Sequence, residues 1–303
     1  MSNVLVFGGT GFLGKALVQE LASKHRVFVV SRKPSEHQAE LPNIEMISLH
    51  DFISYPNKLP TCHIYINLAG ASISKRWSVA YKRKILESRL EMVDFLTQYL
   101  VARSQHEGVL LQASAIGFYG TSLNDTFEES SSPKNVGFLH EVVSKWEEKS
   151  SQIEQLGLRV IRARLGVVFG NDGGVFPTLV HPYRYYLGGP LGTGDQWVSW
   201  IHIKDTLRMF SWAIDHPTIQ GIINVTAPYP VHMNDLAREI ATCLQRPSWV
   251  KIPPFLLHAL LGERANLVLE GQRVIPDKAI KNGFSFLYPT VQSAVCDLLK
   301  RTF

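Results

Sequence analysis

Between residues 8 and 14 the chain reads Gly8-Gly9-Thr10-Gly11-Phe12-Leu13-Gly14, with the apolar run Val4-Leu5-Val6-Phe7 before it and a helix-like segment, Lys15 to Leu21, after it. Glycines at this density let the backbone turn tightly and leave it bare. An anion can then approach N–H groups that no side chain shields. Lying between a strand and a helix, the segment satisfies both G-x-G-x-x-G and G-x-x-G-x-x-G, and the chemistry it offers is a cradle for a pyrophosphate. Gly8, Gly11 and Gly14 are the framework of that cradle, which predicts a dinucleotide site.

The end of the next strand, Arg26 to Val30, decides which dinucleotide. A site for NAD places a carboxylate there to grip the ribose 2′-OH, whereas this chain continues Ser31-Arg32-Lys33-Pro34. A guanidinium pairs with a 2′-phosphate and stacks on an adenine face, so Arg32, with Ser31 beside it, points to NADP(H).

These residues need a rigid frame, and the pattern of the chain supplies one. Apolar runs read as strands at Val4–Phe7, Arg26–Val30, Ile44–Ser48, His63–Asn67, Gly108–Ala113 and Leu158–Ala163, alternating with helices at Phe12–Ser23, Val79–Arg103 and Gly137–Gln155. Such alternation predicts an α/β fold, a Rossmann-type doubly wound parallel sheet. After Gly170, glycines and prolines punctuate the chain more densely, although Gly221–Val225 reads as a return strand and Val291–Lys300 as a terminal helix. The expected organisation is a Rossmann domain over 1–170, rejoined near 221–226, with a smaller, partly interleaved substrate-side domain over 171–303.

Composition bounds the partners. The 303 residues are 45% hydrophobic and carry 31 basic against 26 acidic side chains, a net charge of +5 with no block of five like charges. That dispersal argues against a nucleic-acid groove. Cys62, Cys243 and Cys296 lack the close spacing of a disulfide framework or a zinc site. No apolar run of 18 residues occurs, and an apolar strand begins within three residues of Met1. The expectation is a cytoplasmic protein with a small-molecule substrate, no metal and no membrane partner.

Several segments together resemble the short-chain dehydrogenase/reductase superfamily, in its extended, epimerase-like branch. They are Gly8–Gly14, Asn67-Leu68-Ala69-Gly70, Ser114-Ala115-Ile116-Gly117-Phe118-Tyr119-Gly120, Arg162 to Gly170, and Trp200-Ile201-His202-Ile203-Lys204-Asp205. Lys75-Arg76-Trp77, Ser88-Arg89, Gly188 to Gln196 and Gly271 to Pro276 narrow the resemblance to the atypical "epimerase family protein" subgroup, whose bacterial members are sometimes labelled SulA-type homologues. The resemblance covers nearly the whole chain. It implies that Thr10, Phe12 and Leu13 meet the pyrophosphate, that Asp51 borders the adenine, that Leu68, Ala69 and Gly70 line the adenosine ribose, and that Arg89 lies on the cofactor side. The substrate it implies is a sugar or nucleotide derivative.

One part of the family pattern is missing. The superfamily carries Tyr-x-x-x-Lys on the helix after the fifth strand, to move the proton that accompanies hydride transfer. Here that helix reads Gly137-Phe138-Leu139-His140-Glu141-Val142-Val143-Ser144-Lys145-Trp146-Glu147, and aligning Glu147 with the acid that follows the pair puts Leu139 and Val143 at its two positions. The usual catalytic hydroxyl falls on Ala115, leaving Ser114 beside it. Ser114 and Tyr119 are the candidate catalytic groups, with Ser114 also touching the cofactor and His140 and Lys145 as further acid/base candidates. Trp77, Gln196, Trp197, Trp200 and His202, with Arg76 and Arg164, are candidates for a substrate cleft. Two readings follow: an NADP(H)-dependent oxidoreductase or epimerase-like enzyme, or a catalytically silent NADP(H)-binding regulator.

Overall fold

The computed structural model describes residues 1–42 and 44–300. Its centre is a parallel sheet of seven strands: β1 (Asn3–Phe7), β2 (Arg26–Ser31), β3 (Glu45–Ser48), β4 (Ile64–Asn67), β5 (Val109–Ala115), β6 (Arg159–Leu165) and β7 (Gly221–Val225), in the order β7-β6-β5-β4-β1-β2-β3. The chain starts in the middle, builds outward through β2 and β3, and then crosses back to β4. That reversal leaves a crevice beyond the carboxyl ends of β1 and β4, where parallel sheets of this kind bind ligands. Register places it: Phe7 pairs with Val30 on one side and Asn67 on the other, so Gly8, Ser31 and Leu68 all follow directly on paired residues.

Helices cover both faces, as buried parallel strands require. On one face, α2 (Val79–Ala102) and α3 (Phe138–Gln155) pack Val93, Leu96, Trp146 and Ile153 against Leu5, Phe7 and Leu110. The other face is covered by α1 (Phe12–Leu21) and by a helix from late in the chain. Following α4 (Phe176–Arg184), α5 (Ile203–Asp215) brings Leu207, Met209 and Phe210 into the same core as Val4, Val29 and Ile66. Thus residues beyond 171 complete the first-half core, and β7 returns beside β6 at Gly221–Val225 as its composition indicates.

A separate core unites Phe169, Phe176, Trp200, α6 (Met233–Leu244) and α7 (Val291–Lys300). Here the cysteine reading is corrected: Cys243 on α6 and Cys296 on α7 form a disulfide. The two helices lie side by side, which brings together residues 53 apart in sequence, a proximity that spacing cannot reveal. Cys62 is free and buried. Among the described residues no helix is long and apolar enough to cross a membrane, and no cluster of His, Cys, Asp or Glu could hold a metal ion.

Candidate functional site: a dinucleotide crevice

The turn after β1 is built by what its glycines lack. Gly8 has φ +75°, and a Cβ there would lie 2.7 Å from the Leu68 carbonyl carbon and 2.8 Å from the Ala69 nitrogen. The two loops of the crevice therefore touch backbone to backbone. A Cβ at Gly9 would strike the Val29 side chain of β2, and one at Gly14 would come within 2.1 Å of the Gly8 oxygen, so Gly14 lets the helix begin against the turn itself. Gly11 N–H donates to Gly8 O at 3.1 Å and closes the turn. The helix α1 then starts with Gly11 as its cap, without a capping side chain and without an acidic residue in its first turn. Its first N–H groups have no partner inside the helix, and the positive end of the helix dipole faces the crevice. A pyrophosphate fits this donor set. The Phe12 ring turns the other way, packing against Gly170, Gly173 and Gly174, so Phe12 can offer a phosphate its backbone only.

Ser31 ends β2 buried, and its Oγ accepts from Lys33 N–H at 3.1 Å. Arg32 is exposed and makes no ion pair among the described residues, whereas its neighbour Lys33 is committed to Glu36 at 2.7 Å. Asp51 lies in a short helix, Leu49–Ser54, capped by Ser48; the Ser48 hydroxyl donates to Asp51 Oδ2 at 2.6 Å, and this bond lowers the Asp51 pKa.

The opposite wall, Leu68–Gly70, is held from below. Asn67 Oδ1 accepts from Ala69 N–H, while Asn67 Nδ2 donates to Gln112 Oε1 of β5. Ser88 and Arg89 of α2 fix the next residue: Ser88 Oγ accepts from Ala71 N–H at 2.9 Å, and Arg89 Nη1 donates to the carbonyls of Ala71 and Ile85. A Cβ on Gly70 would fall 2.9 Å from the Arg89 guanidinium carbon, so the cation presses against the wall from behind. Burial pulls the Arg89 pKa down to about 10, which leaves it charged at neutral pH, and its guanidinium lies 5.1 Å from the centre of the Trp146 ring.

Ser114 and Tyr119 belong to a different constellation. Alternation along β5 sends Ser114 and Ala115 to opposite faces, and the Ser114 hydroxyl donates to Glu147 Oε1 of α3 at 2.5 Å. Arg164 of β6 grips the same carboxylate in a two-pronged contact, Nε to Oε1 at 2.8 Å and Nη2 to Oε2 at 2.7 Å. Arg164 is 1% exposed, and the Phe118 ring centre lies 3.5 Å from its guanidinium carbon. Tyr119 is fully buried; its hydroxyl donates to Asn224 Oδ1 at 2.8 Å, and burial raises its pKa. The phenol is thus held protonated inside the core, and the serine proton is engaged by a carboxylate. His140 and Lys145 are occupied too. His140 Nδ1 lies 2.5 Å from Phe118 O and its Nε2 3.2 Å from Ser144 Oγ, while exposed Lys145 pairs with Glu141 one turn away.

The substrate-cleft candidates divide in the same way. Trp200 is fully buried and stacks on Phe169, His202 Nδ1 accepts from Lys204 N–H at the start of α5, and Gln196 Nε2 ties Leu191 O to Val268 O. These hold the fold. Trp197 and Trp77 lie nearer the surface: Trp197 Nε1 donates to Leu123 O, and Trp77 meets Phe138 edge-on with Lys82 above both rings. Lys82 pairs with Glu263, and Arg264 donates to Ser74 O, so the loop after β4, which carries Arg76, is joined to the C-terminal region. The sequence pattern places Glu147 after the missing pair but does not reveal its pairing with Arg164. The signal was there: Arg162 and Arg164 alternate with Ile161, Ala163 and Leu165 in a core strand, and a buried cation demands a partner.

Residues 4–226 match the model of the NAD dependent epimerase/dehydratase family, and residues 252–298 match a domain of unknown function, DUF1731. The chain is similar to the epimerase family protein YfhF of Bacillus subtilis, 38% identical over 98% of both chains. It is also similar to an Arabidopsis thaliana epimerase family protein, the chloroplastic SDR39U1 homolog, 38% identical over 96% of this chain and 85% of that one. Among solved structures, human epimerase family protein SDR39U1 with NADPH superposes at a TM-score of 0.89, with 31% identity over 98% of this chain and 99% of that one.

Proposed function

The chain belongs to the NAD-dependent epimerase/dehydratase family, and from that premise we propose that it is an NADP(H)-binding, oxidoreductase-like protein acting on a small polar molecule, a sugar or nucleotide derivative. The observation that carries this reading is the crevice in which Gly8 and Leu68–Ala69 meet, with an uncapped helix start on one side and Arg32 exposed just past the end of β2, without an ion pair among the described residues. Phe12 and Leu13 N–H groups, with Thr10, hold the pyrophosphate. Arg32 pairs with the 2′-phosphate and Ser31 shapes the bend that presents it, while Asp51 borders the adenine. Leu68, Ala69 and Gly70 form the ribose wall, which Arg89 supports. NADPH of a solved relative supports the cofactor assignment.

When bound, the nicotinamide supplies a hydride. The chain's own contribution is binding and orientation, because apolar Leu139 and Val143 occupy the positions where the family pattern has its proton-carrying pair. A proton needed by the reaction then comes from the substrate or from solvent. The engagement of Ser114, Tyr119, His140 and Lys145 with other groups favours a second reading, a protein that binds NADP(H) without turnover.

Calorimetric titration tests the binding and absorbance tests the chemistry. Arg32→Glu is expected to weaken NADPH at least about tenfold while leaving NADH nearly unchanged, since only the former carries the phosphate that a guanidinium grips. Equal losses would remove Arg32 from the site. Consumption of NADPH with any member of a panel of ketones, aldehydes and nucleotide sugars excludes the silent reading, and tight binding with no consumption across the panel favours it.

A further inference from the structure

One face of the molecule is apolar where a protein surface ordinarily is not. The segment 245–262 follows α6, and 181–194 follows from the end of α4; the two run side by side. Trp249 and Val250 N–H both donate to Gly188 O, Ile252 N–H donates to Pro190 O, and Gly192 N–H donates to Ile252 O. Trp249 Nε1 reaches Tyr186 O at 2.7 Å, and Arg246 lies over the Tyr186 ring and donates to its hydroxyl. Immediately afterwards comes a helix, Pro254–Leu261, whose sequence is PFLLHALL and in which Leu257 alone is buried. Trp249 is 72% exposed, Phe255 74% and Leu260 68%, with Tyr186 and Leu187 also half exposed or more. Tyr186 holds φ +62°, an unusual cost for a surface aromatic, and this conformation keeps it between Trp249 and Arg246.

The charge within these two segments has one sign. Segments 181–194 and 245–262 contain Arg184, Arg246 and Lys251, with His181 and His258, and no aspartate or glutamate, and the carboxylates that flank them are engaged within the chain, Glu263 with Lys82 and Asp195 with Asn234. We propose that this face docks on an anionic lipid bilayer, with Trp249, Phe255 and Leu260 entering the interface and Arg184, Arg246 and Lys251 contacting the headgroups. Aromatic and leucine side chains among cations are the composition that adsorbs to such a surface. A second copy of the chain is a poor occupant, because a face-to-face pair would oppose cation to cation with no carboxylate in either segment. A peptide is a poor one as well, because a helix that buries a single side chain protrudes and offers no groove. The docking is adsorption and not a span: the helix has eight residues, far too few to cross a bilayer.

Flotation of the full chain with phosphatidylcholine vesicles, with and without about one-third phosphatidylserine, tests the proposal. The expected result is binding to the anionic vesicles, weakened by added salt, and reduced about tenfold or more in the triple variant Trp249→Ser, Phe255→Ser, Leu260→Ser. The far-ultraviolet circular dichroism and unfolding midpoint of that variant stay unchanged, which shows that it is folded and keeps this test independent of the cofactor assignment. Should the triple variant not fold, the pair Arg184→Glu and Lys251→Glu is expected to lower binding to the anionic vesicles to a similar degree. No binding to anionic vesicles, or equal binding by wild type and folded variants, overturns the proposal. So does self-association in sedimentation velocity that the triple variant abolishes while vesicle binding is absent, an outcome that assigns the face to a second copy.

Discussion

The crevice after β1 and the polar cluster beneath β5 solve opposite problems. In the first, glycines remove side chains so that backbone can meet backbone at Gly8 and Leu68, and the turn that makes this possible lies within seven residues of chain, Gly8–Gly14. In the second, Ser114, Glu147 and Arg164 put charge where there is no water, and each comes from a different element. A site made by absence tolerates no added atom. A site made by pairing tolerates no lost partner.

The largest expected effect breaks the second site. Glu147→Ala leaves Arg164 buried and uncompensated, and denaturant unfolding should report a loss of about 3–5 kcal/mol. The double variant Glu147→Leu with Arg164→Met should recover most of it, because apolar side chains of similar volume replace a buried pair at little cost. A double variant as unstable as the single one would show that the pairing does more than satisfy itself. Next in size, Gly14→Ala drives a Cβ into the Gly8 carbonyl, and should cost about 2–3 kcal/mol in thermal or chemical unfolding together with loss of NADPH binding. Its control sharpens the contrast: at Gly11 the nearest atom to an added Cβ is 3.4 Å away, so Gly11→Ala should alter stability by no more than about 0.5 kcal/mol. Smallest is Lys145→Ala. Its pairing with Glu141 lies on the surface of α3, and the melting temperature should hardly move. A large loss of NADPH turnover in that variant, with stability intact, would return Lys145 to the chemistry.

The fold was legible because its signals are local. Gly221–Val225 and Val291–Lys300 have the same bounds in sequence reading and structure, and the edges of α1, α2 and α3 differ by one or two residues. Both faces of a buried parallel strand must be apolar, so β1, β2 and β4 announce themselves. The crossover of α5 into the first-half core was not legible, since the amphipathic face over 203–215 does not say which core it will join. The catalytic candidates depend on longer range than the cradle does. Ser114 and Tyr119 carry chemically capable groups, but a side chain's partners are set by strand alternation and by the helix packed above it, and those partners are Glu147 and Asn224.

What the sequence by itself determined is the strand, turn and helix of residues 3–21, with an arginine where a carboxylate would otherwise stand, because these features depend on backbone conformation and short spacing. Only the tertiary structure decided that Glu147 and Arg164 claim Ser114, that Cys243 reaches Cys296, and that PFLLHALL lies open on the surface. Burial and pairing are properties of residues far apart in the chain, and no local pattern states whether an apolar helix will be covered or a hydroxyl left free.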